Sequence, residues 1–94
     1  HYPYAEEFYD FADRHGILVI DEVFSINLDF RKVGPETLVL HKQAVAELIA
    51  RDRNRTCVIA WSLANEPGYL GEPEYRDQSE PYWEALFGHA RALD

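Results

Sequence analysis

The stretch "ILVIDE", residues 17–22, sets four apolar side chains in a row and then two acids. An unbroken apolar run this short, without alternation, is what a strand buried on both faces looks like, and such strands belong to parallel sheets. A second run of this kind, "CVIAWSL" at 57–63, stops at Asn65-Glu66-Pro67. Helical patterns precede and follow both. Upstream, Pro3 suits a first helical turn and Glu6 and Glu7 complement the positive end of the helix dipole. Tyr4, Phe8, Phe11, Ala12 and His15 recur at helical spacing, and Gly16 supplies a left-handed stop.

Between the two runs, Val23 to about Gly34 has no clear period and is punctuated by "VGPE". Leu38, His41, Val45, Leu48 and Ile49 then form one helical stripe, with basic residues in "RDRN" and Asn54 as its expected cap. After the second run, "GYLGEPEYRDQ" reads as a Gly- and Pro-rich loop. Ser79 is positioned to cap a last helix carrying Tyr82, Trp83, Leu86, Phe87, Ala90 and Leu93. The order helix, strand, helix, strand, helix predicts an α/β arrangement with two parallel strands. Two strands cannot finish such a sheet, so the missing strands are expected outside these residues.

Composition narrows the function. The 94 residues carry a net charge of −8, with acids scattered rather than in blocks. That argues against nucleic acid or an anionic membrane as a partner, since both want basic surface. The chain opens on His1, contains no methionine and ends in a helical pattern, and so reads as a piece of something larger. No signal pattern opens it, and nothing in it marks a compartment. The single cysteine, Cys57, cannot form an internal disulfide and reads as a buried thiol.

Several chemistries lack their motifs. His1, His15, His41 and His89 show no metal-ligand spacing, and His15 and His41 lie on apolar stripes as packed helix residues. No Gly-rich phosphate loop occurs, and Ser62 lies within a strand without the turn that exposes a nucleophile. No metal or cofactor is therefore expected. Asn54-Arg55-Thr56 fits a glycosylation sequon, which matters only in a secreted eukaryotic protein. What remains is acid chemistry. Asp21 and Glu22 end the first strand and Glu66 follows the second, and parallel pairing would bring these ends to one rim. Solvated loop starters would look the same, and pattern alone leaves both readings open.

Two longer motifs carry a family resemblance. "HYPYAEEFYDFADRHGILVIDE" resembles the first signature of glycoside hydrolase family 2, and "RDRNRTCVIAWSLANEP" resembles the second, which ends in the catalytic Asn-Glu. The order is that of the family, and the likeness covers nearly all of the chain up to Pro67. "HYPYAEEF", "GILVIDE", "AELIARDRN" and "WSLANEP" look most like the β-glucuronidase branch, with the β-galactosidase and β-mannosidase branches as alternatives. One departure is Arg55-Thr56, where the family usually has His-Pro; it reads as a loop change away from the chemistry.

The resemblance implies a partial (β/α)8 TIM barrel, from about the end of strand two to helix four. Residues 1–94 would be a fragment of a single catalytic domain. It implies a retaining β-glycosidase in which Glu66 is the general acid/base, Asn65 binds the sugar 2-hydroxyl and His1 reaches the sugar. The partners it implies are a β-glycoside, the remaining barrel segments, and copies of a homo-oligomeric parent. The nucleophile Glu, and the Asn and Lys that grip a glucuronate carboxylate, lie further along the family's chain. By itself the piece is expected to be inactive, and poorly folded or self-associating, because its sheet edges and helix stripes lack partners. In the same family the segment between Glu22 and His41 varies in length. Here it is short, and alternation in "VFSINLDF" predicts that one face of Phe24, Ile26, Leu28 and Phe30 packs down. That leaves an open site suited to bulky aglycones.

Overall fold

The computed structural model describes residues 1–68 and 74–94. Five elements follow in the expected order: α1 (Glu6–His15), β1 (Val19–Glu22), α2 (Pro35–Asp52), β2 (Val58–Ser62) and α3 (Glu74–Leu93). β1 and β2 pair in parallel, with Val19 opposite Val58 and Glu22 opposite Ser62. The register slips by one residue between Val19 and Ile20. Both strands therefore finish at the same end of the sheet.

Each element has a local cause. Glu6 and Glu7 occupy the first turn of α1, and Gly16 ends it at φ 67°, a left-handed conformation that costs glycine nothing. Pro3 lies before this helix rather than in its first turn, with Ala5 at the N-cap. α2 starts at Pro35, whose missing N–H costs nothing at a first helical position. There Gly34 N–H donates to Thr37 Oγ1 at 3.4 Å, and Thr37 N–H donates to Gly34 O at 3.1 Å. Arg53, not Asn54, is its C-cap. α3 begins before Ser79, so that residue is interior, and its hydroxyl donates to the Arg76 carbonyl at 3.0 Å. Pro81 also lies inside α3. Of the expected Gly- and Pro-rich loop, residues 68–78, positions 69–73 lie outside those described, and residues 74–78 belong to α3 rather than to a loop.

The main core lies between α2 and α3 and takes in Val23 and Leu63, just beyond the ends of β1 and β2. Val23, Val45, Leu48, Ile49, Leu63, Tyr82, Leu86 and Ala90 are buried together there. The α2 stripe is the one read from sequence, with His41, Val45, Leu48 and Ile49 all buried. A smaller core under α1 joins Tyr9, Ala12, Val19 and Cys57. Here the helical phase differs from expectation: Tyr9 is fully buried, whereas Tyr4, Phe8 and Phe11 face outward. The strands are covered on one face only, since Ile20 and Ile59 are 65% and 58% exposed. Among the described residues no helix is long and apolar enough to cross a membrane.

Candidate active site

The two acids that end β1 part company. Successive strand residues point to opposite faces of a sheet, so Asp21 and Glu22 cannot both reach the rim. Asp21 turns under α1, 2% exposed, and its Oδ1 accepts a hydrogen bond of 2.6 Å from the Tyr9 hydroxyl. Burial pushes the Asp21 carboxyl up to about 6, and Asp52, within hydrogen-bonding reach, adds to the rise. Burial and the bond to Asp21 push the Tyr9 phenol up to about 12. Arg51 and Arg55 stack their guanidinium groups over the Tyr9 ring at 5.2 and 5.8 Å. This cluster ties α1, β1 and α2 together away from the strand ends, and sequence reading missed it.

Glu22 faces the other way and joins the strand-end groups. The Ser62 hydroxyl donates to its Oε2, and the main-chain nitrogen of His1 lies 2.5 Å from its Oε1. His1 is thereby brought to the end of β1, its ring edge-on to Tyr2 at 5.1 Å. Its side chain is exposed.

Beyond Ser62 the chain does not simply enter solvent. Asn65 forms an isolated parallel bridge with Ile26. Its N–H donates to Ser25 O at 2.7 Å, and Asn27 N–H donates to Asn65 O at 3.1 Å. Gly68 N–H then donates to Leu28 O at 2.8 Å. The segment after β1 therefore runs alongside the segment after β2 and holds it by three backbone bonds. Two non-glycine residues within this clamp, Asn27 at φ 51° and Glu66 at φ 46°, are left-handed. For a glutamate that conformation costs about 1–2 kcal/mol and persists only where neighbouring contacts hold it. Glu66 itself is exposed, next to half-buried Asn65.

The arrangement therefore presents a strained, exposed carboxyl with an amide beside it and a histidine near the neighbouring strand end. His41, read from sequence as a packed residue, is indeed buried, but both its ring nitrogens are engaged, with Tyr82 and with the Leu63 carbonyl. Those partners lie far along the chain, and no local signal announces them. Arg55 and Thr56 sit away from the strand ends and bind α1: Arg55 pairs with Asp10, and the Thr56 hydroxyl donates to Asp13 at 2.9 Å.

Known proteins resemble this chain in sequence and fold. A β-glucuronidase from Paenibacillus borealis is 40% identical over 104 residues, which take in all of this chain and 17% of that protein. The mouse β-glucuronidase is 39% identical, with 14% of its length covered. Among solved structures, Bifidobacterium dentium β-glucuronidase complexed with coumarin-3-O-glucuronide superposes at a TM-score of 0.89 and 40% identity. It matches over the whole of this chain and 15% of its own. A Ruminococcus gnavus β-glucuronidase gives 0.87 and 43%, over the whole of this chain and 16% of its own. The chain thus spans under a fifth of the length of these relatives. Its two parallel strands and three helices are part of a TIM barrel. Residues 1–94 match the model of glycosyl hydrolases family 2, TIM barrel domain, and the chain belongs to that family.

Proposed function

We propose that these residues are one part of the catalytic barrel of a retaining β-glucuronidase, and that Glu66 is its general acid/base. The observation that carries this reading is the left-handed Glu66, held at the end of β2 by the Ser25–Leu28 segment. It stands in a chain 40% identical to one β-glucuronidase and 43% identical to another.

Cleavage of a glycosidic bond passes through an oxocarbenium-like state, and the leaving oxygen needs a proton as the bond stretches. In the proposed mechanism a carboxylate elsewhere in the barrel attacks C1. The C1–O bond breaks, and the Glu66 carboxyl gives its proton to the departing aglycone oxygen. Glu66, now a carboxylate, then takes a proton from water as the water oxygen bonds to C1 and displaces the nucleophile. The net change is hydrolysis with retention, and Glu66 ends protonated as it began. Asn65 is proposed to hydrogen-bond the sugar 2-hydroxyl, a contact that strengthens in the transition state. His1, at the end of β1 beside Glu22, is proposed to bind a further sugar hydroxyl.

The test is leaving-group dependence. Glu66→Gln in a full-length protein carrying this sequence should lower kcat/KM for an alkyl β-glucuronide by about 10²–10⁴-fold, the ordinary contribution of a general acid. Activated phenyl glucuronides, whose departure needs no proton, should lose far less. Azide should partly restore turnover of an activated substrate in Glu66→Ala, giving the glycosyl azide. Equal losses on both substrate types without azide rescue would rule out the assignment. A galactoside or mannoside turned over in preference would move the protein to another branch of the family.

A further inference from the structure

His41 is 6% exposed on the inner face of α2, and its hydrogen bonds define its protonation. Nε2 lies 2.7 Å from the Leu63 carbonyl oxygen, which can only accept, so Nε2 carries the proton. Nδ1 is then the acceptor for the Tyr82 hydroxyl at 2.8 Å. Burial favours the neutral ring, against the smaller opposing pull of the Leu63 carbonyl. Tyr82 is itself 7% exposed and packs with Leu63 and Leu86. It thus presents its hydroxyl from α3 and fixes the tautomer.

The carbonyl that His41 holds is at a particular place. β2 ends at Ser62, whose carbonyl still accepts from Val23 N–H at 3.0 Å. Pairing resumes at Asn65, whose N–H donates to Ser25 O at 2.7 Å. Between them, at Leu63, a side chain from α2 replaces a strand partner. The left-handed residue Glu66 follows three positions later, and a strained conformation needs its approach fixed.

From this geometry we infer that His41 is a positioning residue for Glu66. Its Nε2–H anchors the Leu63 carbonyl and sets the course along which the chain delivers Asn65 and Glu66, while Tyr82 keeps the imidazole in the required tautomer. The inference deepens the proposed function and rests on Glu66 acting as acid/base. His41 does not touch the substrate. It acts through the backbone, and a displacement of about 1 Å in a catalytic group can cost on the order of 10²-fold.

The test uses a full-length protein carrying this sequence and a series of β-glucuronides of increasing leaving-group basicity. kcat/KM is measured for the parent, Glu66→Gln, His41→Phe, His41→Gln and Tyr82→Phe. His41→Phe should lose about 10–100-fold on alkyl glucuronides and no more than about 3-fold on activated aryl ones, because misplaced acid matters only where a proton is needed. His41→Gln, whose amide can still donate to the Leu63 carbonyl, should recover most of the loss. A uniform loss across the series in folded His41→Phe would reduce His41 to packing and overturn the inference, as would a folded His41→Gln no better than His41→Phe. Should His41→Phe not fold, Tyr82→Phe carries the same test: a smaller loss with the same dependence supports positioning, and a flat one overturns it. A flat series in Glu66→Gln would instead overturn the acid/base reading and the positioning role with it. A steep Glu66→Gln beside a flat His41→Phe would remove only the latter.

Discussion

Asp21→Asn is expected to stabilise the protein, although it alters a buried and hydrogen-bonded side chain. Asp21 and Asp52 are 2% and 0% exposed, and each leaves one carboxyl oxygen without a hydrogen-bond partner, Oδ2 and Oδ1 respectively. The groups facing the pair are Tyr9 from α1, Arg51 from α2, and Arg55, whose Nε lies 3.9 Å from Asp52 Oδ1. The Asp21 carboxyl stands at about 6 against an ordinary 3.8. A rise of about two units corresponds to about 3 kcal/mol, and relaxation around the pair leaves on the order of 1–3 kcal/mol observable. The sign follows from proton counting. Between about pH 4 and pH 6 the folded state keeps a proton that the unfolded chain has released, so stability falls as pH rises through that window. Above it the loss is complete.

Asparagine removes the titration while keeping the shape. Its oxygen still accepts from Tyr9, and its amide can donate to the orphaned Asp52 oxygen. Urea denaturation of the full-length protein should therefore show Asp21→Asn ahead by about 1–3 kcal/mol near pH 8, with the advantage vanishing near pH 4. A variant less stable than its parent at about pH 8, or one with an unchanged pH slope, would refute the idea that these two acids are held together at a cost.

His41 predicts the opposite slope. Because burial keeps its folded state neutral, stability should fall as pH drops below the ordinary histidine value of 6.5, and His41→Gln should flatten that limb in the same denaturation series. Leu86→Ala should cost about 2–5 kcal/mol, since Leu86 of α3 is fully buried in the main core with Val45, Leu48 and Ile49 of α2, and a loss under about 1 kcal/mol would show that the contact is loose. The 94-residue chain purified alone should show little amide protection or should self-associate, because Ile20, Ile59 and Leu18 lie open to water; hydrogen exchange with global protection in a monomer would contradict this. In the full-length protein, a glucuronate-terminated oligosaccharide should be cleaved at least as efficiently as a small aryl glucuronide, and a strong preference for the aryl substrate would argue against an open site.

The apolar runs and the α2 stripe were legible because their burial follows from local spacing. Val45, Leu48 and Ile49 recur at helical intervals and are buried together. The phase of α1 was misread because Phe8 and Phe11 outweigh Tyr9 on any hydrophobic scale, although Tyr9 is the residue that can both pack and give its hydroxyl to Asp21. The alternation rule for strands would have separated Asp21 from Glu22 had it been applied across the strand's end. Alternation in "VFSINLDF" held for Leu28 and Phe30, which pack on the main core, while Phe24 stays exposed. The left-handed turn at Glu66 and the imidazole bond to Leu63 had no sequence signal. Both depend on groups that only folding brings together.

The three backbone bonds from Ser25–Leu28 to Asn65–Gly68 divide the loop after β1 into two stretches with different tolerance for change. Up to Leu28 its length is fixed, because one added residue would shift every donor and acceptor out of step with the turn that carries Glu66. From Asp29 to Gly34 the ion pairs are local, with Arg31 and Lys32 on Asp29, while Phe30 and Val33 pack on the main core before Pro35 starts α2. Added length after β1 is thus best tolerated just before α2, beyond both the paired stretch and the core contacts of Phe30 and Val33. A segment spliced in after Val33 would leave the Phe30 packing and the bonds that hold the Glu66 turn as they are.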